Sequence, residues 1–359
     1  MANAVADRVW RPSAPDRIDE DLTALWREIA RDGPVSRAVM SNLVVYCRCP
    51  ADLDLDLAAP PAGIPIEGVA SHHPARVILL HHDPDAPGAQ RPLAARIGVL
   101  ILGPPGARYG VEQIVIRSAC SEAALPSIVR RLMLGDVPTA VWWTEDFSGT
   151  RPLTPLVTMG RQLIYDSRRW SDVRLAVRGL TPLLDGRVKP ALPLPASAAR
   201  PDLADVNWRR LTPVRQALVH AIGSGGDAKH SVRGSVRIRH RTGESALAWL
   251  LAGWIESAGS KGPGLHRTGV GRVRLDPPIT VHVDPDLHDD VLIVSLGDDL
   301  RLVLDDHRVS VEDVLGRTFA VSVPHEDEAQ AIAAELRVLT HDAVFHDTLV
   351  ALARRFGAA

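Results

Sequence analysis

The chain has 359 residues, of which 46% are apolar, and its formal net charge is −2. This length predicts two domains, and the apolar fraction is enough for a substantial core. The near-neutral charge argues against a nucleic-acid-binding protein, because such proteins usually present a basic face.

The sequence favours a cytoplasmic protein with no membrane partner. Its first residues contain no apolar leader segment, and no stretch is apolar over the length that a membrane-spanning helix needs. Three cysteines cannot all pair, which argues against a disulfide scaffold and favours a reducing compartment.

Residues 1–34 are predicted to form an N-terminal helical appendage. Apolar residues recur at helical spacing from Ile18 to Arg31, and Asp32-Gly33-Pro34 provides a stop signal.

Residues 35–185 are predicted to form an α/β domain with a mixed sheet and helices on its faces. Predicted strands alternate with predicted helices, which favours a layered α/β fold. The loop GPPGARYG between two of the strands indicates a hairpin, which makes the sheet mixed. The predicted strands are 37–47, 76–80, 94–102, 111–117, the Trp-Trp strand and 162–165, and the predicted helices are 121–134, one from Pro155, and 171–183.

Two adjacent tryptophans, Trp142 and Trp143, close a short predicted strand after a Gly-Asp-Val-Pro turn. Successive side chains of a strand point to opposite faces of the sheet. Either both faces of the sheet are covered, or one indole is offered to a partner as an interface anchor.

Residues 186–205, rich in Pro and Ala, are predicted to be a linker or an extended strap, and residues 206–359 a smaller α+β C-terminal domain. Thr212 and Pro213 are predicted to start a helix. A helix after Thr242 and two final helices are expected beside one face of the sheet. The predicted strands are 232–240, 272–275, 279–283, 291–296, 300–304 and 318–323.

No catalytic constellation is recognisable in the sequence. Walker A, G-x-S-x-G and H-E-x-x-H patterns are missing. Cys47 and Cys49 share a face of a predicted strand, and a redox role for them stays open beside inert burial. The doublets His72-His73 and His81-His82 lack a diagnostic carboxylate, so we predict no metal and no cofactor.

Charge is uneven along the C-terminal half. Residues 209–241 hold eight Lys or Arg and one acid, and residues 284–306 hold eight Asp and one base. These runs are either solvated faces or surfaces complementary to another protein.

Six strings in order resemble the OpcA family of glucose-6-phosphate dehydrogenase assembly proteins. No single string is diagnostic, and the similarity is best from Ser41 to Ile255. The strings are HHPARVILL (72–80), VEQIVIRS (111–118), DVPTAVWW (136–143), RQLIYDS (161–167), DVNWRRLTPVRQAL (205–218) and SALAWLLAGWI (245–255).

The resemblance implies a non-catalytic partner of glucose-6-phosphate dehydrogenase that promotes its active oligomer and needs no cofactor. Trp142, Trp143, Trp208, Arg209 and Arg215 match family strings and are candidate partner contacts; alternatively, Trp208 packs its helix onto the sheet. This chain has Val214 where an aromatic residue often stands in the family. Cys47 and Cys49 do not clearly match family redox cysteines.

Two alternatives stay open. The α/β domain can be a sugar-phosphate or nucleotide sensor or enzyme, with Arg76 and Arg161 as candidate anion contacts at strand ends. The chain can also be a structural subunit of an unrelated complex.

Overall fold

The computed structural model describes residues 5–48, 63–84, 93–118, 124–185, 201–223, 235–260, 278–313, 316–338 and 340–357. These residues form two sheets with helices packed against them. The predicted fold class, an α/β region with a mixed sheet followed by an α+β region, is confirmed.

Among the described residues, nine strands form the first sheet and six form the second. The first sheet contains β1 (Val5–Ser13), β2 (Ser36–Arg37), β3 (Ser41–Arg48), β4 (Ala75–His82), β5 (Ala94–Leu102), β6 (Tyr109–Ser118), β7 (Thr139–Trp143), β8 (Gln162–Tyr165) and β9 (Asp202–Asp205). The second contains β10 (Val236–His240), β11 (Ile279–Val283), β12 (Asp290–Leu296), β13 (Leu300–Asp305), β14 (Arg308–Asp313) and β15 (Thr318–Ser322).

The helices are distributed along the whole chain. They are α1 (Ile18–Ile29), α2 (Ile66–His72), α3 (Leu125–Leu132), α4 (Thr154–Val157), α5 (Val173–Leu184), α6 (Val206–Arg209), α7 (Thr212–Gly223), α8 (Ser245–Ser260), α9 (Glu328–Arg337) and α10 (Ala343–Arg355), with a 3₁₀ helix at Ser167–Arg169.

The first sheet has the order β1-β5-β6-β4-β3-β7-β8-β9, with β2 beside β6. The strands from β6 to β9 run parallel. The β5–β6 pair is the predicted antiparallel hairpin, and β1 adds to β5 antiparallel. The chain builds β4 and β6 on one side of β3 and then returns to place β7 on the other side. The topological switch point therefore lies between β3 and β7.

Both faces of the first sheet are covered. One face packs against α1, α3, α4 and α5, and the other packs against α2 and α9. The helix α9 comes from the C-terminal end of the chain and lies directly on α2. A Cβ added at Gly68 would stand 2.7 Å from the Cβ of Ala329, so the two helices approach closely because residue 68 has no side chain.

The second sheet has the order β11-β10-β12-β13-β14-β15. All its neighbouring strands are antiparallel except β10 and β11. Its inner face packs against α7 and α8, and α8 packs against α10, which also contacts α5. One apolar core therefore runs from the first sheet through these helices to the second.

Several elements were not predicted from the sequence. The edge strand β1 lies within residues 1–34, β9 lies within residues 186–205, and β14 closes a hairpin with β13. The helix α3 begins at Leu125. Residues 121–123 of the predicted helix 121–134 and the predicted strand 272–275 lie outside the described residues.

Candidate functional site

The two adjacent tryptophans occupy opposite faces of β7. Trp142 and Trp143 are each 1% exposed. Trp142 packs beneath α2 and α9, while Trp143 stacks on Tyr46 with the ring centroids 4.1 Å apart. Both indoles are core side chains in this conformation, because each face of the sheet is covered.

Residues 205–215, the junction segment, connect the first sheet to the C-terminal helices. Trp208 is 5% exposed, and its indole Nε1 donates to Asp342 Oδ2 at 3.0 Å. Its ring lies against Phe345, and the guanidinium of Arg215 stands 3.9 Å from the ring centroid. A desolvated cation over an indole face is attractive. Trp208 therefore holds α6 and α7 against α10.

Two neighbouring arginines bind different helices. Arg209 donates to Glu326 at 2.9 and 3.0 Å and to Glu335 at 3.0 Å, which ties the junction segment to α9. Arg210 donates to Glu244 at 2.7 and 3.0 Å, at the start of α8. Hydrogen bonding from Arg210 and Arg241 lowers the pKa of Glu244 despite its partial burial. These pairs fix the segment between the two regions.

A buried carboxyl group begins the junction segment. Asp205 is 1% exposed, and its Oδ1 accepts from the backbone N–H of Ser167 at 3.0 Å and of Asn207 at 2.9 Å. Burial, and then the charge of Asp166, raise the pKa of Asp205 to about 7. Its Oδ2 has no hydrogen bond within the described residues. The protonation state of Asp205 therefore changes near neutral pH.

A groove of about 440 Å³ opens beside the junction segment, beyond the carboxyl ends of β8 and β9. α/β sheets often bind ligands at this edge, and the volume is typical of a ligand pocket. Three arginines line it, but each already bonds a carboxylate, in the pairs Arg168–Asp166, Arg209–Glu326 and Arg210–Glu244. Its positive charge is therefore largely neutralised.

The two candidate anion contacts lie at the opposite edge of the first sheet. Arg76 is at the start of β4, buried, and bonded to Glu112 at 2.7 Å and to the Leu132 carbonyl at 2.7 Å. Arg161 is exposed and immediately precedes β8. Both therefore lie at amino ends of parallel strands, away from the groove.

One member of the predicted cysteine pair has a described position. Cys47 is buried in β3 at 8% exposure, whereas Cys49 and Cys120 lie outside the described residues. A redox role for Cys47 and Cys49 therefore stays a prediction.

Three of the four doublet histidines, His73, His81 and His82, are buried in the first region, and His72 is half-buried. The Nε2 of His73 is 3.0 Å from the Ser41 hydroxyl, and the Nδ1 of His82 is 3.0 Å from the Tyr46 hydroxyl. Burial, and then a nearby arginine, lower the pKa of His73 and of His81 to about 4. Both are therefore neutral at physiological pH. Among the residues with a described position, no three potential ligands are grouped as a metal site.

No helix in the described ranges combines the length and apolar character needed to cross a bilayer. The fold and the site define a two-sheet protein in which a polar network joins the two regions.

Two family models match this arrangement, one for each region. The first, described as glucose-6-phosphate dehydrogenase subunit N-terminal domain, matches residues 67–181, and the second, described as the C-terminal domain of that subunit, matches residues 201–349. The chain belongs to the OpcA glucose-6-phosphate dehydrogenase assembly family, as its sequence strings predict. No curated protein and no solved structure gives a significant match.

Sequence reasoning found the basic half of the junction network but missed its carboxylates, which include Asp205, Asp342 and Glu244. The pairs Trp208–Asp342 and Arg209–Glu326 join residues separated by 134 and 117 positions. Local spacing carries no signal for such contacts, and the acidic run at 284–306 supplies none of these carboxylates.

Proposed function

We propose that the chain is a non-catalytic assembly factor and allosteric activator that binds glucose-6-phosphate dehydrogenase and promotes its active oligomer in the oxidative pentose phosphate pathway. The observation that carries this proposal is membership of the assembly family in both regions of the chain. The matched ranges contain the predicted contact residues 142, 143, 208, 209 and 215.

The proposed mechanism is thermodynamic linkage. A partner that binds the active form of an enzyme more tightly than the inactive form shifts the population by the ratio of the two affinities. The continuous core between the two sheets supports this role, because a preorganised surface loses less conformational entropy on binding.

The predicted contact residues divide into two groups under this proposal. Arg209 and Arg215 are half-buried and retain accessible surface, so we propose them as direct contacts. Trp142, Trp143 and Trp208 are buried, and we propose that they position the contact surface through the core.

The test is a titration of purified dehydrogenase from the same organism with this chain. The initial rate and the mass by light scattering are followed together, under oxidising and reducing conditions. We expect a saturable rise in rate accompanied by a rise in mass. An unchanged rate and mass under both conditions would contradict the proposal.

A small-molecule sensor is the second candidate, favoured by the groove beside the junction segment. Saturating glucose 6-phosphate, NADP or NADPH would then raise the midpoint of thermal unfolding, because a ligand that binds only the folded state stabilises it. Substituting Gln216, which lines the groove, by Trp should abolish that rise. An unchanged midpoint with all three ligands would exclude this candidate for them.

A further inference from the structure

Most side chains on the outer face of the second sheet are at least partly accessible to solvent. Strand pairing places its outward side chains in two rows that cross all six strands. The first row is Thr280, Arg237, Ser295, Arg301, Glu312 and Thr318, and the second is His282, Arg239, Ile293, Val303, Ser310 and Ala320. Most of these side chains are exposed or half-buried, whereas those of the inner face belong to the core.

Two arginines in the first row are exposed and have no acidic partner among the described residues. Arg237 and Arg301 flank Ser295 on β12, which places their Cα atoms roughly 10 Å apart, or two strand spacings. Within the described residues, neither forms a salt bridge or a side-chain hydrogen bond, although Glu312 stands opposite Arg301. The turn residues Asp298 and Asp299 form no salt bridge with them either.

Other arginines on this sheet behave differently. Arg239 bonds Asp284 at 2.9 Å, and Arg308 bonds Asp305 at 3.1 Å. Asp284 and Asp305 thus neutralise arginines near the first row, while Arg237 and Arg301 form no salt bridge within the described residues. An exposed pair of unneutralised guanidiniums is suited to carboxylates, which each can bind in a bidentate manner.

Two apolar side chains lie beside this pair. Ile293 and Val303 face each other across β12 and β13 in the second row; Ile293 is 3% exposed and Val303 is half-buried. A small apolar centre with arginines around it has the composition of a protein–protein interface, in which arginine is enriched and lysine is depleted.

We propose that this face, defined by Arg237, Ile293, Ser295, Arg301 and Val303 and called the outer face, docks an acidic surface of glucose-6-phosphate dehydrogenase. The inference rests on the proposed function and assigns it a contact surface away from the junction segment. Carboxylates of the dehydrogenase bind the exposed Arg237 and Arg301, and the half-buried Val303, beside the buried Ile293, lies under the contact. The opposite charges also accelerate the encounter of the two proteins.

The test compares two charge-reversed variants for binding to purified dehydrogenase at low and high ionic strength. The first variant carries Arg237→Glu and Arg301→Glu. The matched control carries Arg27→Glu and Arg31→Glu, two exposed arginines of the first region with no salt bridge among the described residues. A thermal unfolding scan checks that each variant is folded, and the Gln pair at 237 and 301 replaces the Glu pair if that variant is unstable.

We expect the outer-face variant to bind at least about tenfold more weakly at low ionic strength and to lose part of the salt dependence. The control should bind as the unchanged chain does. Equal binding by both variants would overturn the docking surface while leaving the proposed function intact. Equal weakening of both would overturn it too, since the effect would then be one of net charge.

Two further outcomes separate the inference from the function. If the unchanged chain does not bind the dehydrogenase, the proposed function and the docking surface both fall. If it forms a dimer that the outer-face variant cannot form, and the variant still binds the dehydrogenase, the face docks a second copy of this chain and the inference is overturned.

Discussion

The two sheets differ in how many of their faces are covered. In the first sheet, α2 and α9 cover one face, and α1, α3, α4 and α5 cover the other. The adjacent residues Trp142 and Trp143 of β7 point to opposite faces and are therefore both buried. In the second sheet only the inner face is covered by described residues. Along β10, the buried Val236 and Ile238 alternate with Arg237 and Arg239, which are not buried. The first sheet is thus a scaffold, and the second offers a surface.

The largest test of this comparison is a core truncation. Trp143→Ala should destabilise the fold by about 4 kcal/mol, because it leaves a cavity between Tyr46 and the helices above it. Val303→Ala on the outer face should cost less than about 1 kcal/mol. Urea denaturation measures both free energies of unfolding. Similar losses would contradict the assignment of one covered and one open face.

The second test removes a buried charge from the first sheet. Glu112 is 1% exposed and accepts from Trp26 at 2.7 Å, from Arg37 at 3.0 Å and from Arg76 at 2.7 Å. Glu112→Gln should cost about 3 kcal/mol, because among the described residues the buried Arg76 keeps only the exposed Asp19, 3.6 Å away, as a counter-charge. Glu312→Gln on the outer face is the matched control, and its unfolding midpoint in urea should stay close to that of the unchanged chain. An unchanged urea unfolding midpoint in Glu112→Gln would show that the buried Arg76 does not need the Glu112 carboxylate for stability.

The third test uses pH at the boundary between the sheets. The pKa of Asp205 is raised from 3.8 to about 7 in the folded protein, so the folded state holds this proton more tightly than the unfolded state. Stability from this group is therefore present below pH 3.8 and is lost as the pH rises to about 7. Asp205→Asn should remove this loss of stability. At high pH the variant should therefore have a larger free energy of unfolding than the unchanged chain.

His73 and His81 contribute with the opposite sign. Their pKa values are lowered from 6.5 to about 4, so stability from them is present above 6.5 and is lost as the pH falls towards 4. Both proteins contain His73 and His81, so their contribution cancels when the unfolding free energy of the unchanged chain is subtracted from that of Asp205→Asn. That difference should grow in favour of the variant from about pH 5 to about pH 8. A difference independent of pH would contradict the raised pKa.

The smallest expected effect belongs to the edge of the open face. Ala320→Lys on β15 should change the unfolding free energy by less than about 0.5 kcal/mol, because the side chain at 320 is exposed. Ala140→Lys in β7 should be strongly destabilising, since Ala140 lies in the core under α2 and α9. Thermal unfolding scans of the two variants give the contrast directly, and a destabilised Ala320→Lys variant would mean that the outer face is covered.

Much of the fold could be predicted because periodicity is a local property. The strand 162–165, the hairpin at GPPGARYG and the helix at Thr212 follow from alternation, turn residues and capping residues. The alternation of apolar residues and arginines in β10 likewise indicates its arginine face. The short polar strand β9 escaped because DLAD has almost no β-forming residues, and its partner β8 alone makes it a strand.

The sequence by itself determined most of the elements, the two-region organisation of the fold and the family, since these depend on neighbouring residues and on strings in order. Only the tertiary structure decided that α9 returns to cover the first sheet, that Trp208 meets Asp342, and that burial raises the pKa of Asp205. It also decided that Arg237 and Arg301 flank Ser295 without acidic partners among the described residues. These features depend on residues that are far apart in the chain. Their energies depend on desolvation and distance, which spacing along the sequence does not encode.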